Sequence, residues 1–172
     1  MAKINQAIFV ATLLFTQLSF AGTEPRQLTD SEISDISSNA CANIAGDRGK
    51  KLLIHLKKHF NVKLEDVYLD IDCNGRKHAS TLLEYGLSST SESSIRLLLK
   101  YFAYIGKKRY PDKPNYYLNK FLNAKDANGE TLLDFVQWKV NNAPQASRKK
   151  NYRYFYKIFV EYGARRSSAL AD

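Results

Sequence analysis

Apolar residues recur every three or four positions along most of the chain, with polar runs between them, and that spacing predicts helices. Thr29-Asp30-Ser31-Glu32 has the pattern of a capping box, and Ile33, Ile36, Ala40, Cys41 and Ile44 follow at helical spacing, with Gly46 as the stop. A second helix is expected over 48–60, with Leu52, Leu53, Leu56 and Phe60 on one face and Lys50, Lys51, Lys57 and Lys58 on the other. A short helix is expected near 80–87. The strongest stripe is Ile95, Leu98, Leu99, Phe102 and Ile105, capped by Thr90-Ser91-Glu92 and expected to end at Gly106. Further helices are predicted over 116–123, 131–141 and 150–162, with polar loops at 107–115 and 142–149 and a frayed tail at 165–172. The exception to this periodicity is Val67–Cys73, which alternates with a period of two and reads as a short strand or an extended packed loop. Asn74-Gly75 and Asp126-Ala127-Asn128-Gly129 are expected to turn the chain sharply. The fold class is therefore all-α.

Residues 1–21 have a different pattern. Lys3 is their only charge, an apolar run covers Ile8–Phe15, and Ser19 and Ala21 are small residues at a cleavage position. This is the layout of a secretory signal peptide, too short to span a bilayer comfortably; an uncleaved membrane anchor is the alternative. The expected organisation is a leader at 1–21, one helical domain at 22–164 and the tail at 165–172. The expected location is the periplasm of a Gram-negative cell. In an oxidising compartment the two cysteines, Cys41 and Cys73, are most simply one disulfide that staples the first helix pair. The alternative is a buried thiol at Cys41 and a loop thiol at Cys73.

Composition narrows the function. The 172 residues are 44% hydrophobic, a globular balance for one domain. The 26 Lys and Arg outnumber the 17 Asp and Glu, so the net charge of +9 favours an acidic partner. Basic residues and tyrosines interleave at Arg109, Tyr110, Tyr116 and Tyr117, and again at Lys149, Tyr152 and Arg153. Tyr and Arg are favoured anchors of protein interfaces, so these seven are the expected partner contacts. The same composition suits an anionic membrane surface; it suits nucleic acid too, but export argues against that.

Catalytic patterns are scarce. His55 and His59 stand four apart, but Leu56-Lys57-Lys58 between them lacks the Glu of a zinc-protease motif, and nearby lysines oppose a metal ion. Asp70, Asp72 and His78 are the one acid–base set conceivable from sequence, against a plainer reading as turn and capping groups. No nucleotide, nucleophile-elbow or cofactor motif occurs, so no cofactor is expected.

Two stretches repeat each other. Asp72-Cys73-Asn74-Gly75 matches Asp126-Ala127-Asn128-Gly129, Thr81–Tyr85 matches Thr131–Phe135, and Ile95–Ala103 matches Tyr156–Ala164. The alternative is a generic helical bundle with chance similarity between its hairpins. The Asp-x-Asn-Gly turn, the Thr-x-Leu helix start and the Leu-Leu-Leu-x-x-x-Ala end resemble ankyrin repeats. Leu82 and Leu132 replace the family's Pro, and Glu84 and Asp134 replace its His-x-Ala chemistry. The resemblance implies stacked helix hairpins that offer a binding face. In size, export and helical repeat the chain also looks like the periplasmic immunity proteins of type VI secretion systems. That likeness implies a non-catalytic module that binds and inhibits an exported antibacterial toxin. A peripheral binder of anionic lipid or cell-wall polymer is the alternative, and an enzyme centred on Asp70, Asp72 and His78 is the third reading.

Overall fold

The computed structural model describes residues 27–170. Within them every regular element is helical: α1 (Asp30–Ala45), α2 (Gly49–His55) running into a π-helical turn (Leu56–Phe60), α3 (Leu64–Val67), α4 (Thr81–Ser88), α5 (Glu92–Arg109), α6 (Tyr116–Asn123), α7 (Leu132–Asn142), α8 (Ala146–Glu161) and a 3-10 turn (Ser167–Ala169). The expected leader lies outside the described residues. No described helix is long and apolar enough to cross a membrane.

Helix α1 begins as its sequence dictates. Glu32 N–H donates to Thr29 Oγ1 at 3.2 Å, and Thr29 N–H donates to the Glu32 carboxylate at 3.0 Å. Ile36, Ala40 and Ile44 face inward and are almost fully buried. Cys41 is bonded to Cys73, so the bridge staples α1 to the loop before α4 and not, as was expected, to the second helix of the pair, because Cys73 lies beyond α3.

The expected strand at 67–73 is instead a helical turn and a loop. Leu64, Val67, Tyr68 and Ile71 are buried at i, i+3, i+4 and i+7, whereas Leu69, inward in a strand, is half exposed. What survives of extended pairing is one antiparallel bridge between Asp72 and Lys77. The second helix also differs from expectation. It widens at Leu56 into a π turn that ends at Asn61, whose φ of 54° is left-handed. Leu52 and Leu56 both stay fully buried while Lys57, Lys58 and His59 point outward.

Helix α4 is central. Six of its eight residues are buried, including Glu84, and it packs against α1, α5 and α7. Helix α7 packs on α8 and α5 on α6. One apolar core runs from Ile36 to Ala164, with the stacked rings of Phe102 and Phe121 at 4.0 Å and Tyr68 edge-on to both.

Helix α5 starts and ends differently from expectation. Its N-terminal amides are capped from outside the helix: Ser94 and Ser93 N–H donate to the Asp47 carboxylate at 2.7 and 3.3 Å. Ser91 instead donates its hydroxyl to Ala45 O at 3.2 Å. Burial raises the Asp47 pKa, but these hydrogen bonds outweigh it and hold it below the usual carboxylate value. At the other end the helix continues through Gly106 to Arg109. Gly106 is a close-approach residue, because a Cβ there would lie 2.2 Å from Pro114 O. Helix α8 likewise starts four residues before the expected position, at Ala146.

Residues 165–170 follow α8 back across α7, where a frayed tail was expected. Ser167 N–H and the Arg166 guanidinium donate to the Asp134 carboxylate at 2.8 and 2.9 Å. Arg165 N–H donates to Asn123 Oδ1 at 2.7 Å.

Candidate functional site: an aromatic-basic corner and a groove between two turns

The loop between α5 and α6 folds back because Gly106 lets Pro114 O approach. That return brings four of the seven expected contacts together. The Tyr110 ring lies 4.6 Å from Tyr116 and 5.6 Å from Tyr117, and Tyr116 and Tyr117 are 5.4 Å apart, centroid to centroid. Arg109 lies 5.8 Å above the Tyr117 ring and donates to its hydroxyl at 3.2 Å. Lys120, one turn along α6, sits 4.9 Å over Tyr116.

Arg109 is nevertheless tied inward. Its guanidinium pairs with Glu65 at 2.8 Å and with Asp66 at 3.2 Å. Glu65 is fully buried and also accepts from the Tyr101 hydroxyl. Burial, together with that hydrogen bond and the charge of Glu65, pushes the Tyr101 phenol well above its ordinary pKa. Arg109 is therefore a clamp between α3, α5 and α6. The unpaired positive charge of the corner belongs to Lys107, Lys108 and Lys113, exposed cations that make no ion pair with a described residue. The surface continues as two shallow hollows. One of about 360 Å³ runs past Pro114, Tyr116 and Lys120, and one of about 440 Å³ runs past Tyr68, Ala124 and the exposed Leu69.

The other three expected contacts lie on α8. Tyr152 is only 5% exposed and packs in the core, so it presents no ring to a partner. Arg153 is exposed and Lys149 half-buried. No ion pair, hydrogen bond or ring contact among the described residues joins them to the tyrosines of the corner. The exposed aromatic of α8 is Tyr154, which donates to Glu92 at 2.8 Å and lies beside Arg96.

Asp70, Asp72 and His78 are not assembled into one set. Asp70 pairs with Lys77 at 3.2 Å, and both line a groove against α1 with Asp72. His78 turns the other way. Its Nδ1 is 3.2 Å from the Ser80 hydroxyl and its Nε2 is 3.4 Å from Glu84. The rings of His55 and His59 stack at 4.5 Å, and no group of three metal-ligating side chains occurs among the described residues.

A second concave surface was missed by the pattern of basic residues and tyrosines. A groove of about 680 Å³ lies between the turns at 75–78 and 126–130 and is floored by α7. Asp126 stiffens its rim, since Oδ1 accepts from the N–H groups of Asn128 and Glu130 at 2.8 and 3.0 Å. Gly75 and Gly129 complete the two turns at φ +75° and +76°. Arg76 crosses from one turn to the other, 3.4 Å from Asp126 and 3.3 Å from the buried Glu84, and lies over Phe135. Trp138 is 57% exposed on the open side of α7. The signal was present in the sequence: among the apolar positions of 131–141, Trp138 falls off the stripe of Leu132, Leu133, Val136 and Val140.

Comparison of the chain with protein-family models, with curated proteins and with solved structures gives no match.

Proposed function

We propose that this chain is a non-catalytic protein-binding module, an exported immunity-type inhibitor that covers an acidic surface of an antibacterial toxin. The observation that carries the reading is the corner of α5 and α6, where three tyrosine rings touch and are fringed by unpaired lysines. Such a surface combines large rigid contact area with a charge that steers an acidic partner. The leader-like pattern of residues 1–21 supports export. Support for an ankyrin-like arrangement comes from two turn-plus-helix-pair units, in which α4 packs on α5, α7 on α8 and α4 on α7. His78 contacts Ser80 and Glu84 while Asp70 pairs with Lys77, which favours a binding role over an enzyme centred on Asp70, Asp72 and His78.

The test is capture from extracts of the source cell and its secretions, with the tagged protein and a Tyr110→Ala/Lys120→Glu variant side by side. One stoichiometric protein, kept at about 0.3 M salt where exposed charges are largely screened, and lost by the variant, supports the inhibitor. Recovery of anionic lipid or wall polymer alone, released as salt rises, overturns it in favour of an electrostatic surface binder.

A further inference from the structure

The groove between the two turns contains an unpaired cation beside an exposed indole. Lys139 Nζ lies 5.1 Å from the centroids of both Phe135 and Trp138 and has no carboxylate partner among the described residues. His78 and Glu84 are more than nine-tenths buried and answer each other, with His78 Nε2 3.4 Å from Glu84, while Arg76 lies 3.3 Å from the same carboxylate. His78 itself lines the groove.

We propose that this groove docks an acidic segment of a partner protein, with a carboxylate set against Lys139 and a neighbouring apolar side chain laid on Trp138. The inference rests on the protein-binding reading above and names the chemistry that a partner must bring. Three observations select this occupant. A carboxylate gives Lys139 the ion pair that it lacks, in a setting part-shielded by two rings. The net charge of +9 draws acidic surfaces towards the chain. Arg76 lies 3.4 Å from Asp126 and offsets the charge of that rim carboxylate, which lowers the repulsion an acidic segment meets. A neutral sugar would stack on the indole but leave the ammonium unanswered.

Trp138 is the one tryptophan in the chain, so its emission reports this groove alone. The probe is a blocked hexapeptide in which two glutamates flank a phenylalanine, titrated into the full chain. Its counterpart carries glutamines in place of the glutamates. The expected result is a saturable blue shift with the acidic peptide, at least about tenfold weaker with the glutamine peptide and with Lys139→Gln. The far-ultraviolet circular dichroism of that variant should match the native chain. No saturable change up to about 10 mM, or equal response to both peptides, overturns the proposal. A shift with chitohexaose but not with the acidic peptide overturns it in favour of a sugar platform. Partner capture tests the tyrosine corner separately. Failed capture with a normal titration removes the inhibitor reading, whereas a failed titration with normal capture removes only the groove.

Discussion

Opening the Cys41–Cys73 bridge should destabilise the fold by an amount set by loop closure. The two residues are 32 apart in sequence, so the bond confines a loop of that size in the unfolded chain. The chain-entropy relation gives a loss of about 12 cal/mol/K, which is about 3.7 kcal/mol at room temperature. Both thiols belong to ordered parts of the native fold, α1 and the loop before α4, so the native state should persist without the bond. The perturbation is Cys41→Ala/Cys73→Ala, with dithiothreitol on the native chain as an independent route. Urea unfolding followed at 222 nm suits an all-helical protein. With a slope of about 2 kcal/mol/M, the midpoint should fall by roughly 2 M. The melting temperature should fall by about 7–15 °C. The slope itself should rise, because the freed chain exposes more surface when unfolded. A loss below about 1 kcal/mol would refute the reasoning. It would mean that the unfolded chain already keeps α1 beside residues 70–75 without the bond.

Three other perturbations probe the joints that shape the two surfaces. Gly106→Ala should lower stability by about 1–3 kcal/mol, against a helix-propensity gain of up to about 1 kcal/mol, because the new methyl meets Pro114 O; a stabilised variant would contradict the close approach. Glu65→Gln should cost about 2–3 kcal/mol in urea unfolding, since Arg109 loses its buried partner; a change under about 0.5 kcal/mol would show that the clamp carries no stability. Burial raises the Asp134 pKa, but hydrogen bonds from Ser167 and Thr131 N–H and from Arg166 outweigh it and hold the carboxyl far below its ordinary value. Its contribution is therefore present above about pH 4 and is lost as pH falls below that. Thermal melts from pH 6 to pH 2.5 should drop more steeply for the native chain than for Asp134→Asn, and parallel curves would contradict the depressed pKa.

The helices were legible where one residue pattern fixed one face. Ile95, Leu98, Leu99, Phe102 and Ile105 define the buried side of α5, and all are buried. The two turns were legible too, since Asn74-Gly75 and Asn128-Gly129 include backbone that few residues other than Gly and Asn adopt readily. Misreadings arose where a local signal had a distant cause. Gly106 resembles a helix stop, but its missing side chain answers Pro114 across the loop. Ser91 resembles a cap, but Asp47 reaches in from the α1–α2 corner to fill that role. The Val67–Cys73 alternation was coincidental, because Tyr68 rather than Leu69 packs against Phe102 and Phe121.

The candidate site was half legible for the same reason. Adjacent tyrosines at 110, 116 and 117 did converge, because one short loop joins their helices. Charge was read less well. Arg109 looks free in sequence, yet Glu65 and Asp66 approach it from α3, more than forty residues away. Tyr152 sits among basic residues, yet its position on α8 places it with Phe155 and Phe159 in the core.

The most direct test of the inhibitor account is neutralisation. A protein captured by the chain would be expressed as a toxin in the cell compartment where it acts, together with either the native chain or Tyr110→Ala/Lys120→Glu. The account predicts that the native chain restores growth and binds that protein in equal amounts. The variant, folded as judged by its melting curve, should fail to protect. Equal protection by both, or a captured protein whose toxicity the native chain leaves unchanged, would contradict it.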